Sequence, residues 1–120
     1  MSDFQGFVER AQSVAADLAA QGVKIYGPRV AVLREPEKEM TEGGLFIPEE
    51  GKRKEPRGIV VSVGLGVDTD DVIYGVTVGD LIMFTKYNPI AFRVKMTNGE
   101  WVALELMHVS DMYLGFGTVV

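Results

Sequence analysis

His108, Ser110 and Asp111 are the residue types of a hydrolytic triad within four positions. Strand alternation, however, would put His108 and Ser110 on one face and Asp111 on the other, and no sharp strand-to-helix turn presents a nucleophile. Asp68-Thr69-Asp70-Asp71 could attract a divalent cation. A calcium loop starting at Asp68 needs an oxygen ligand where Val72 sits and a glycine where Ile73 sits, so the stretch reads as a solvated acidic turn. Gly64-Leu65-Gly66 lacks the third glycine and following helix of a dinucleotide fingerprint and reads as a turn between strands. Lys52-Arg53-Lys54 is short and flanked by Glu49, Glu50 and Glu55, which spoils it as a nucleic-acid patch. No catalytic site, metal site or cofactor site emerges, and the chain reads as a non-enzyme.

What remains is a binding element. From Arg34 to Arg57, thirteen of twenty-four residues are charged, and the segment carries one apolar triplet, Leu45-Phe46-Ile47, behind Gly43-Gly44 and ahead of Pro48. So polar a segment buries too little surface to hold a fixed fold by itself, and Leu-Phe-Ile left in water is unfavourable unless a partner covers it. The glycines and the proline interrupt any regular strand at both ends of the triplet. The pattern describes a mobile arm with an apolar anchor.

The elements that would carry this arm are β-strands preceded by a helix. Phe4, Phe7, Val8, Ala11, Val14, Ala15 and Leu18 recur at three- and four-residue steps, predicting an amphipathic helix over residues 3–21. Ser2 with Gln5 has capping-box spacing, and Gly22 suits a left-handed C-terminal cap. From Pro28 onward the signals turn to β. Strands are expected at Arg29–Arg34, Gly58–Gly64 and Asp80–Thr85, and a hairpin joins Ile90–Met96 to Trp101–Met107 through Asn98-Gly99, a type I′ signal. Short strands with frequent turns predict an all-β barrel, with Trp101, Phe92 and Phe84 in its core or at a subunit contact.

Composition limits the rest. The 120 residues suit one domain, and a core this small gains from oligomerisation. A net charge of −5 opposes general affinity for nucleic acid or anionic membrane, and without cysteine there is no disulfide or thiolate metal site. No apolar run approaches a membrane helix of about 20 residues, and the acidic start lacks the features of a leader, so a cytoplasmic protein is expected.

Five motifs in order carry a family resemblance. Arg29-Val30-Ala31-Val32-Leu33, then Met40-Thr41-Glu42-Gly43-Gly44-Leu45-Phe46-Ile47-Pro48, then Lys52 to Gly64 resemble the first strand, mobile loop and second strand of the co-chaperonin (GroES, chaperonin-10) family. Val78-Gly79-Asp80-Leu81-Ile82-Met83-Phe84 and Val109-Ser110-Asp111-Met112-Tyr113-Leu114 resemble that family's VGD strand and closing segment. The resemblance implies a small irregular GroES-like β-barrel over residues 25–120, with a mobile loop at 34–57, a shortened roof loop at 67–78, and an added N-terminal helix at 1–22.

It also implies a co-chaperonin that forms a homo-heptamer, caps an ATP-bound, GroEL-type chaperonin ring and encloses an unfolded client. In this scheme ATP belongs to the chaperonin. Gly43, Gly44, Leu45, Phe46 and Ile47 would contact the chaperonin. Met112 to Phe116 of one subunit would pair with Arg29 to Leu33 of its neighbour, so that Arg29, Val30, Val32, Met112, Leu114 and Phe116 form the subunit interface. Pro28 and Gly115 depart from the family's usual residues near that contact. The added helix and the shortened roof leave one alternative open, a structural or capsid decoration subunit that uses the same barrel to grip a lattice.

Overall fold

A computed structural model of the chain describes residues 3–35, 56–66, 75–85 and 89–118. The elements are helix α1 (Asp3–Gln21) and strands β1 (Arg29–Arg34), β2 (Arg57–Val63), β3 (Asp80–Phe84), β4 (Ile90–Lys95), β5 (Trp101–His108) and β6 (Met112–Thr118). A single 3-10 turn, Val109–Asp111, joins β5 to β6. The six strands form one sheet in the order β4-β5-β1-β2-β3-β6, antiparallel at every pairing.

That order forces the sheet to curl. In a flat sheet β5 and β6 would stand four strand spacings apart, about 19 Å. The three residues that join them span far less, about 6 Å as a 3-10 turn. The sheet therefore closes toward a barrel, and the corner is fastened on both sides: Val109 N–H donates to Pro28 O (2.9 Å), and Thr85 N–H donates to Asp111 O (3.0 Å). Shifts of register in β1–β2 and β3–β6 supply local bending.

Two apolar clusters follow from strand alternation. Val30, Val32, Val60, Ile82, Phe84, Met107 and Val109 fill the inside of the curl, with Phe84 fully buried. Ala31, Leu33, Ile59, Val61, Leu81, Val102 and Leu104 face the other way and are covered by Phe7, Val8, Ala11, Val14 and Leu18 of α1. Because both faces of β1 are covered, its sequence runs apolar from Val30 to Leu33 without the usual alternation. The predicted helix thus packs on its own barrel.

The later turns of that helix are held in place by specific bonds. Gly22 adopts φ 73°, its N–H donates to Ala19 O, and Val23 N–H donates to Leu18 O (both 3.1 Å), the paired bonds of a Schellman cap. Asp17 accepts from the Thr97 backbone N–H and from the Thr97 hydroxyl, each at 2.9 Å, and Arg10 reaches Glu100 at 3.1 Å. The Thr97 backbone bond holds the Asp17 carboxyl below the usual range, helped by the Thr97 hydroxyl and Gln21.

Two local expectations are corrected. The β4–β5 connection is not a type I′ turn, since only Gly99 has positive φ (91°). Gly99 N–H donates to Met96 O (2.9 Å) and Met96 N–H to Glu100 O (2.7 Å), giving a three-residue loop in which the Asn98 side chain accepts from Glu100 N–H (2.8 Å). Trp101 is not core: it pairs with Lys95 beside the hairpin loop, is 57% exposed, and lies 5.6 Å from the Arg93 guanidinium. Gly64-Leu65-Gly66 forms the expected turn, pressed so closely on Gly27 and Arg29 that no Cβ fits at Gly64.

Candidate functional site

The segment expected to bind a partner joins β1 to β2, so its geometry begins at the stem those two strand ends form. Arg34 pairs with Gly58 in the ladder, and one residue on, Glu35 N–H donates to Arg57 O at 2.8 Å. The Arg57 guanidinium grips the Glu35 carboxylate with two bonds, at 2.6 and 2.9 Å. That bond raises the Arg57 pKa above its already high value. Arg57 also lies 5.5 Å from the ring centre of Phe4, on the first turn of α1.

A second arginine braces the opposite side of the stem. Arg34 forms a two-pronged ion pair with Glu105 of β5, one prong measuring 2.7 Å, and sits 5.5 Å from the ring centre of Phe84. Phe84 N–H donates to Pro56 O at 3.1 Å, which ties the start of β2 to the end of β3. Charged side chains would weaken a barrel core, but at its rim they fix the two points from which the chain departs. The anchor residues Gly43, Gly44, Leu45, Phe46 and Ile47 lie outside the described residues, as do the roof residues 67–74.

The expected interface residues divide. Val30 and Val32 are fully buried inside their own subunit, and both edges of β1 are occupied, by β2 and by β5. Within the subunit both ladder edges of Arg29–Leu33 are thus taken up. Arg29 is exposed and donates to Tyr26 O at 3.0 Å. Met112 packs partly buried against the cluster around Phe84, Leu114 stands opposite Met83 in the β3–β6 ladder, and Phe116 lies in the same strand. The sheet's free edges are those of β4 and β6.

Beside the start of β1 lies an apolar groove of about 490 Å³ that sequence reasoning missed, with Leu18, Val23, Tyr26, Ile90, Phe92 and Val94 among its walls. Tyr26 is 67% exposed and Ile90 62%. Its signal was present in the alternation of Ile90, Phe92 and Val94. The missing step was that β4, at the sheet's edge, has no strand beyond it. No triad forms: His108 Nδ1 accepts from Ser110 N–H (3.0 Å), lies 2.8 Å from Ser110 Oγ and caps the 3-10 turn; among the described residues no group of three His, Asp or Glu side chains could hold a metal, and the acidic turn Asp68–Asp71 lies outside them.

Comparison with known proteins decides the family. The model of the chaperonin 10 Kd subunit family matches residues 22–112. The chain belongs to this family. It is 44% identical over 68 residues to the co-chaperonin GroES of Lawsonia intracellularis, covering 54% of this chain and 67% of that protein. It is 44% identical over 69 residues to the co-chaperonin GroES of Pelobacter propionicus, covering 55% and 73%, and 38% identical over 86 residues to that of Chlamydia pneumoniae, covering 69% and 82%. The family is not one of enzymes. The matched span begins after α1, whereas both stem strands fall within it. Among the described residues no helix is long and apolar enough to cross a membrane.

Proposed function

We propose that this chain is a co-chaperonin that caps an ATP-bound, GroEL-type chaperonin ring through residues 34–57, with Leu45, Phe46 and Ile47 as the anchor and Gly43-Gly44 as its hinge. The observation that carries this reading is the family match running unbroken through β1 and β2, with the apolar triplet between two rigidly braced stem residues. Nucleotide binds to the chaperonin, a client is enclosed between the two rings, and the work is done in the cytoplasm.

The energetics favour many arms over one. Burying the three side chains offers roughly 1.5–3 kcal/mol each. Ordering the arm costs about 1–2 kcal/mol for each residue fixed. A single arm therefore binds weakly, while several on one ring act together and release when each chaperonin site changes modestly. A homo-heptamer supplies that ring. With β1 closed on both sides, the subunit contact falls to the open edge of β6 and to the groove walled by Tyr26 and Ile90, filled by a second copy.

Phe46→Asp tests the anchor. It abolishes ATP-dependent binding to the chaperonin while circular dichroism and melting of the free protein stay unchanged. A Phe46→Asp chain that unfolds on its own would make Phe46 a core residue and refute the reading.

A further inference from the structure

Helix α1 precedes the span matched by the family, yet it reaches the place where the binding segment leaves the barrel. Its first turn carries Phe4, whose ring is half-buried against the cluster beneath the helix and tilted against Phe7 at a centroid distance of 6.3 Å. Phe4 is thereby held in place, and its ring lies 5.5 Å from the Arg57 guanidinium. Arg57 is the residue that closes the stem, through two bonds to the Glu35 carboxylate and through its own carbonyl, which accepts from Glu35 N–H. A guanidinium bonded on its edge to a carboxylate still offers its flat face to an aromatic ring, so the two contacts do not compete.

We propose that α1 is a positioning element for the β1–β2 stem, in which Phe4 acts through Arg57 to keep the Glu35–Arg57 clamp shut. The far end of the helix makes this possible. Asp17 is bound to Thr97 and Gln21 to Lys95 O, with Arg10 of the middle turns reaching Glu100, so α1 is fastened to the β4–β5 hairpin along its later turns and bears on the stem with its first. The consequence builds on the co-chaperonin reading: a shut stem fixes where each arm starts, and less order must then be gained on binding. Phe4 is a positioning residue and makes no contact with a partner.

Hydrogen exchange at the Glu35 amide tests this, using the full chain. Phe4→Leu keeps apolar bulk and removes the ring, whereas Phe4→Trp keeps a π face. Loss of an exposed cation–π contact predicts that Phe4→Leu speeds exchange at Glu35 about two- to five-fold. Phe4→Trp restores the slow rate, and exchange at Val109, bonded to Pro28 O at the opposite end of β1, changes in neither variant. Weaker capping of an ATP-loaded chaperonin by Phe4→Leu is the functional counterpart. Unchanged exchange at Glu35 in Phe4→Leu, or equal acceleration by Leu and Trp, would overturn the proposal, the second by reducing Phe4 to packing. A wild-type chain that fails to bind any chaperonin but shows the predicted exchange ratios would support the clamp and count against the co-chaperonin reading.

Discussion

Leu18→Ala measures whether the added helix belongs to the barrel's cooperative core. Leu18 is 2% exposed and lies on the stripe that covers Ala31, Leu33 and Leu104. Leucine-to-alanine changes in cores cost about 2–5 kcal/mol, the larger values where the void stays sealed. The void here opens onto the groove of about 490 Å³ that Leu18 also lines, so neighbours and water can relax into it. That places the expected cost near the lower end, about 2–3 kcal/mol, or a fall in Tm of about 6–15 °C for a domain of this size. Phe84→Ala, inside the closed curl, should cost more, about 3–5 kcal/mol. Leu18→Met, which keeps volume, should cost less than about 1.5 kcal/mol. Urea unfolding followed by the fluorescence of the one tryptophan, Trp101, and by far-ultraviolet circular dichroism gives these values at a fixed protomer concentration. A loss below about 1 kcal/mol, or helix and tryptophan signals that melt in separate transitions, would refute the reasoning by making α1 an independent appendage.

Ile90→Asp places a charge in the groove at a side chain already exposed in the free subunit, so it should leave the fold intact and convert the ring to monomers by native mass spectrometry; a heptamer that persists would remove the groove from the interface. The Asp17 carboxyl, held below its usual range by Thr97, contributes stability that is present above the ordinary carboxylate range and lost as pH falls through its lowered folded value. Asp17→Ala should therefore lower stability at neutral pH and flatten the acid limb of the stability profile, and an acid limb parallel to that of the wild type would contradict the assignment.

Much of this molecule is legible in the sequence where one physical rule acts alone. The stripe from Phe4 to Leu18 has no competing period, so α1 and its Gly22 cap follow directly. The five strands from Arg29 to His108 fall within a residue or so of the turn signals that bound them. Legibility fails where tertiary contacts choose between local options. Asn98-Gly99 favours a type I′ turn by itself, but Asp17 holds Thr97 and the Asn98 side chain is spent on Glu100, which selects the longer loop. The apolar run Val30–Leu33 is consistent with an interface strand or with one buried on both faces, and only the strand order settles that β1 lies inside the sheet. The stem clamp joins Phe4, Glu35 and Arg57, which no local pattern connects.

The central claim is that this chain is a nucleotide-dependent partner of a chaperonin. Its most direct test is co-sedimentation of the wild-type protein with a double-ring, GroEL-type chaperonin, with and without ATP. The expected result is a complex in ATP that is absent without nucleotide and absent for Phe46→Asp. Binding that ignores nucleotide, or no binding to any chaperonin from the same cell while the chain attaches to a larger protein lattice, would contradict it.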